Sequence, residues 1–248
     1  MMNVADYLDS TYLKTAEQAG ISQEQTEQNV RDLVLEAIEN KFKLVMIRKE
    51  FVAMAKEMIL EAGSDVLVGT VIGFHEGTYS IQSKLDEAQG AINDGVDELD
   101  YVVNYTAFKE EQINLVKSEV FQCTKLGLDN AKVVKWIIEI AALSNDEIEI
   151  ITGLIRDVVL ENFGEEQAAN VFVKSSTGFY KTEGGLPNGA TVEGIKLMIA
   201  NAGPLPVKAA GGVRNFEGVD EMIKLGVTRF GTSSAKAIYD GKEASGGY

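Results

Sequence analysis

Two lysines in this chain occupy positions where an ammonium is costly. In Val171-Phe172-Val173-Lys174-Ser175-Ser176-Thr177-Gly178 an apolar, β-branched run carries an amine into its middle and then breaks into small hydroxyl residues and a glycine. Pro206-Val207-Lys208-Ala209-Ala210-Gly211-Gly212-Val213-Arg214 repeats the pattern. A buried lysine must be paired, reach solvent at a strand end, or shed its proton. Two amines about 5 Å apart at an effective dielectric near 20 repel by roughly 3 kcal/mol, or about two pKa units. One of them is then a free amine near neutral pH, able to attack a carbonyl and form an imine. Taken singly, each lysine also fits a strand-end residue whose amine snorkels to water.

Such lysines need strands to hold them, and the chain supplies strands at a regular spacing. Residues 7–13 read as a short strand, 23–39 as a helix with Val30, Leu33, Val34, Ala37 and Ile38 at helical spacing, and 44–47 as a second strand. A helix over 50–61 stops at Gly63, a left-handed cap, and 66–72 is a nearly continuous apolar strand followed by a helix over 80–93. Strands over 98–103, 133–138, 171–175, 207–210 and 228–231 follow, each preceded by an amphipathic helix. Eight βα units of about 30 residues predict an α/β chain closed into a single-domain (β/α)8 TIM barrel over 1–239. The rival open doubly wound sheet calls for a glycine fingerprint after the first strand, and none follows Leu13. The Gly/Ser-rich segment 240–248 reads as a flexible tail.

In such a barrel the reacting groups project from the carboxyl ends of the strands, where Lys174 and Lys208 fall on neighbouring strands. In Glu98-Leu99-Asp100, alternation sends Leu99 to one face and both carboxylates to the other. A carboxylate inside a barrel needs a cation, and Lys208 is a suitable one for Asp100. Asp9 and Thr11 end the first strand, where Asp9 also fits a helix cap. Glu139 reads as a partner for a lysine. Gly178, Gly211 and Gly212 let backbone N–H groups approach an anion, and Ser233 and Ser234 open the last helix, whose N-terminus favours negative charge.

Composition narrows the partners. A net charge of −15 argues against nucleic acid and anionic membrane surfaces, and no run of about 18 apolar residues is present. A lone cysteine and the lack of a signal-like start set the expectation of a reducing, cytoplasmic setting. A catalytic divalent-metal site needs several imidazole or mixed ligands, and the chain has one histidine. No metal and no cofactor is expected; a lysine-bound pyridoxal phosphate would colour the protein.

The two lysine runs resemble the lysine motifs of the deoxyribose-phosphate aldolase family, imine-forming class I aldolases. The resemblance extends in order through Leu8-Asp9-Ser10-Thr11, Thr70-Val71-Ile72-Gly73-Phe74, Asp97-Glu98-Leu99-Asp100, Lys135-Trp136-Ile137-Ile138-Glu139 and Arg229-Phe230-Gly231-Thr232-Ser233-Ser234. It implies the same barrel, small phosphosugar and aldehyde substrates, and an assembly such as the homodimer frequent among relatives. On residues alone the two lysines are interchangeable. The resemblance makes Lys174 the imine former, Lys208 and Asp100 a proton relay, and Lys135 a supporting lysine. It also sets Asp9 and Thr11 near the substrate's polar groups and Tyr248 at the end of a tail that assists proton transfer. The implied reaction is reversible cleavage of 2-deoxy-D-ribose 5-phosphate to D-glyceraldehyde 3-phosphate and acetaldehyde. A related imine-forming aldolase with another substrate, or a phosphate-binding barrel without turnover, fits the same residues. Met46 stands where many relatives have cysteine, His75 and Glu76 occupy a loop that often holds proline, and 179–189 is longer than in many members.

Overall fold

The computed structural model describes residues 3–242. Strand β1 (Leu8–Thr11) is followed by helices α1 (Ala16–Ala19) and α2 (Gln23–Asn40). Next come β2 (Leu44–Ile47), α3 (Val52–Glu61), β3 (Leu67–Ile72) and α4 (Ile81–Asn93). β4 (Glu98–Val102) leads through α5 (Tyr105–Lys109) and α6 (Ile113–Asp129) to β5 (Val133–Ile137). The chain continues as α7 (Asn145–Phe163), β6 (Val171–Lys174), α8 (Val192–Ala202), β7 (Val207–Ala210) and α9 (Phe216–Leu225). It closes with β8 (Val227–Thr232) and α10 (Ala235–Tyr239). The eight strands pair in parallel and in chain order, and β8 returns to β1 to close the barrel.

Local chemistry sets the ends of the helices. Thr15 with Gln18, Ser22 with Gln25 and Ser144 with Glu147 form capping boxes at α1, α2 and α7, each satisfying backbone N–H groups that a helix start leaves free. Past α3 the chain turns at Gly63, whose φ of 59° is the left-handed value expected of that glycine. Two elements differ at their edges from the sequence pattern: the predicted strand over 7–13 is only four residues long, after a 3-10 turn over Val4–Tyr7, and the helix predicted from 50 starts as a 3-10 turn over Lys49–Phe51. Residues 240–242, read as the start of the tail, follow α10 as a hydrogen-bonded turn. Lys242 N donates to Ala237 O at 2.8 Å and Gly241 N to Ile238 O at 3.1 Å.

Strand alternation divides the core. Val45, Val68, Leu99, Trp136, Val173 and Phe230 face the helices in the main apolar cluster. Inside the barrel, β2 and β3 contribute Leu44, Met46 and Val71, packed with Val102 and Ile137. Charged side chains fill much of the rest of the interior: Asp9, Glu98, Asp100, Lys135, Lys208 and Arg229 are all at most 5% exposed. A buried Val or Leu at such a position would contribute about 1.5–3 kcal/mol, so filling the interior with charge sacrifices stability and needs another reason.

Candidate active site

Register brings the charged side chains to one level of the barrel. Asp100 on β4 pairs with Lys135 on β5, Lys174 on β6 with Lys208 on β7, and Lys208 with Arg229 on β8. Lys174 and Lys208 are thus Cα partners on adjacent strands, with their side chains on the same face. Each donates to Oδ2 of Asp100, Lys174 at 2.8 Å and Lys208 at 2.9 Å. Lys135 takes the other oxygen, Oδ1, at 2.8 Å and also pairs with Glu98. Asp100 therefore holds three cations, not the single Lys208 suggested by the strand pattern.

Two residues without a predicted role complete the network. Arg229 donates through Nη2 to Asp9 Oδ1 at 2.6 Å and to Glu98 Oε2 at 3.0 Å. Lys208 forms an ion pair with Asp9 Oδ2 at 2.6 Å. Asp9 is consequently neither a helix cap nor a wall of the pocket; it is a buried counter-ion beneath it. An arginine inside an apolar strand carries the same signal as the two lysines, and Arg229 could have been found that way.

The charge balance fixes which amine loses its proton. Burial drives Lys174 down from the ordinary lysine value of 10.5 to about 8, against the pull of Asp100 and with help from Lys208 and Lys135. Burial opposes charge on Lys208 too, but Asp100 and Asp9 outweigh it and its pKa is raised. Burial would push Asp100 up; Lys135, Lys174 and Lys208 hold it well below the usual carboxylate range. The expected mutual repulsion is present, yet desolvation is the larger cause of the Lys174 shift.

Lys174 opens into a pocket at the carboxyl ends of the strands, also lined by Thr11, Thr177, Gly178, Gly211 and Gly212. Ser233, Ser234 and Arg214 line it as well. Gly178, Gly211 and Gly212 have φ of 81°, 81° and 71°, left-handed values that keep side chains off this wall. The Ser234 backbone N–H donates to Thr232 Oγ1 at 3.0 Å, while Ser234 itself lines the pocket. Arg214 is exposed and brings the positive charge that the overall composition lacks. Segment 179–189 packs onto this wall: Asn188 Nδ2 donates to Gly178 O at 3.2 Å, and Ala190 N lies 3.0 Å from both Ala210 O and Gly211 O.

The matching family model spans residues 11–241 and is described as DeoC/LacD family aldolase. The chain belongs to the DeoC/LacD family of aldolases. Among its relatives, the deoxyribose-phosphate aldolase of Thermococcus kodakarensis is 37% identical over 239 residues, covering 96% of each chain. The deoxyribose-phosphate aldolase of an Exiguobacterium species is 36% identical over 249 residues, covering 100% of each. The tetrameric deoxyribose phosphate aldolase of Aeropyrum pernix superposes with a TM-score of 0.76 at 27% identity, covering 96% of this chain and 89% of that one.

Within this DeoC/LacD barrel the other residues singled out in the sequence fall into different surroundings. Met46 is buried inside the barrel with Leu44 and Val71. His75 stacks on Phe179 with ring centroids 5.7 Å apart, as a loop residue. Among the described residues Glu139 forms no ion pair with a lysine; its Oε2 accepts from Thr177 N at 3.1 Å and from the Thr177 hydroxyl. Tyr248 lies outside the described residues.

Proposed function

We infer that this chain is a class I aldolase that reversibly cleaves 2-deoxy-D-ribose 5-phosphate to D-glyceraldehyde 3-phosphate and acetaldehyde. The observation that carries the reading is Lys174: a buried amine with its pKa lowered to about 8, facing the pocket beside a second, still protonated lysine.

The proton balance follows from that pair. Neutral Lys174 attacks C1 of the open-chain aldehyde. Protonated Lys208 gives its proton to the carbinolamine hydroxyl, which leaves as water, and Lys208 becomes neutral while an iminium forms on Lys174. The new cation beside it favours that neutral state. Lys208 then takes the C3 hydroxyl proton through a water as the C2–C3 electron pair moves into the iminium. The products of that step are an aldehyde and an enamine. Protonated again, Lys208 delivers its proton to C2 of the enamine, and hydrolysis releases acetaldehyde. Asp100, too weak a base to keep the proton, holds Lys208 in place and stabilises its charged form. Phosphate binding along Gly211, Gly212, Ser233 and Arg214 positions the reacting carbons.

A cytoplasmic setting and a homodimer accompany this reading. Support for the first is that no described helix is long and apolar enough to cross a membrane. The Aeropyrum pernix relative is a tetramer, and light scattering on the purified protein distinguishes the two assemblies. Release of acetaldehyde from 2-deoxy-D-ribose 5-phosphate by the purified protein tests the activity itself; phosphosugar binding without acetaldehyde would refute it.

A further inference from the structure

Glu139 is the buried charge that the chemistry above leaves unused. Its side chain is fully buried directly after β5, and among the described residues no cation forms an ion pair with it. Burial pushes its carboxyl up to about 7, eased by the two Thr177 donors and by the field of Lys174. Keeping a carboxylate there without a counter-ion costs stability that an apolar residue would not. Its backbone is also left-handed, with φ of 58°, a conformation that non-glycine residues keep only where the surroundings impose it.

What Glu139 touches gives the position a purpose. Oε2 accepts from both the backbone N–H and the hydroxyl of Thr177, while Oε1 has no hydrogen-bond partner among the described residues. The Thr177 oxygen in turn accepts from Phe179 N at 3.0 Å. A threonine hydroxyl has one proton and two lone pairs. Here the proton points at Glu139 and one lone pair is taken by Phe179, leaving a single lone pair. Thr177 lines the same pocket as Lys174.

We propose that Glu139 is a positioning residue that fixes the polarity of the Thr177 hydroxyl, making it an acceptor for one substrate hydroxyl beside Lys174. This rests on the aldolase reading and adds a specificity element to it. The substrate class favoured is an acceptor aldehyde that carries a hydroxyl next to its carbonyl, because such a group can donate to the remaining lone pair. Without the carboxylate, the Thr177 proton is free to turn into the pocket and meet the donor of that hydroxyl.

The test runs the reaction in the synthetic direction, joining acetaldehyde to either D-glyceraldehyde 3-phosphate or 3-oxopropyl phosphate, the same acceptor without its hydroxyl. Glu139→Met removes the acceptor oxygen at similar length and should lower kcat/KM about tenfold for the hydroxylated acceptor, leaving the other within about twofold. Glu139→Gln keeps an acceptor oxygen facing Thr177 and should retain the wild-type ratio to within about threefold. Thr177→Val removes the same contact from its other end, so it should erode the ratio as Glu139→Met does, and it serves if that variant does not fold. A folded Glu139→Met or Thr177→Val enzyme with the wild-type ratio, or with both acceptors lowered equally, would overturn the proposal. Borohydride trapping of acetaldehyde on Lys174 is run alongside: loss of trapping in the wild type refutes the aldolase reading, whereas intact trapping with an unchanged ratio refutes only the role of Glu139.

Discussion

Lys174 and Lys208 donate to one and the same oxygen, Oδ2 of Asp100. Their nitrogens can therefore be no farther apart than those two hydrogen bonds laid end to end. The buried network holds four cations, Lys135, Lys174, Lys208 and Arg229, against the three carboxylates Asp9, Glu98 and Asp100. One cation is in excess. Lys208 has two carboxylates and Lys174 one, and Lys174 is the amine that faces the pocket, so it is the one to shed a proton.

The pH dependence of imine formation follows directly. Only the neutral amine attacks, and with a pKa of about 8 it makes up about a tenth of Lys174 at pH 7. The rate of irreversible inactivation by acetaldehyde plus borohydride should rise nearly tenfold from pH 6 to 7 and level off above about 8. A profile still climbing at pH 10 would mean an ordinary lysine.

Lys208→Met removes both the relay proton and the charge that helps depress Lys174. Turnover should fall about a hundredfold or more, the scale of a lost general acid–base. The midpoint of imine formation should move to higher pH, because Asp100 then serves Lys174 with less competition. Steady-state kinetics and the same trapping profile check both; a midpoint shifted to lower pH would contradict the network.

Gly189 tests the phosphate wall. A Cβ on this residue would lie 2.3 Å from the Gly211 carbonyl oxygen, and backbone cannot step aside as a side chain does. Gly189→Ala should push the Gly211 loop out of place, cost about 1–3 kcal/mol, and raise KM for the phosphorylated sugar. Unphosphorylated 2-deoxyribose should be turned over as before. Equal losses on both sugars would detach the loop from phosphate recognition.

Arg229 bears stability more than chemistry. Arg229→Leu leaves Asp9 and Glu98 short of a buried partner, which should destabilise the fold by about 3–5 kcal/mol. A denaturant midpoint within error of wild type would show that the carboxylates find other partners.

The barrel was legible because its strands are apolar, short and evenly spaced, and each needs only its own pattern to be seen. The lysine pair and Asp100 were legible for the same reason, as charges inside such runs. Arg229 and Glu98 belong to that class of signal but gain meaning only through closure, which sets β8 beside β1 and carries Arg229 to Asp9 across nearly the whole chain. Glu139 reads in the sequence as a lysine's partner and not as a partner of Thr177, since that contact depends on the turns after two neighbouring strands, and turn geometry leaves little trace in residue type. Lys84 was missed likewise: a helix lysine usually faces water, yet this one is buried against Glu119 and donates to Gly77 O at 2.7 Å and Val102 O at 2.6 Å.

The most direct test of the account is where the carbon ends up. Treating the protein with acetaldehyde and borohydride and mapping its peptides should give a single ethyl group on Lys174, with Lys208 unmodified. An ethyl group on Lys208, or none on either lysine while acetaldehyde is still released from the sugar phosphate, would contradict it.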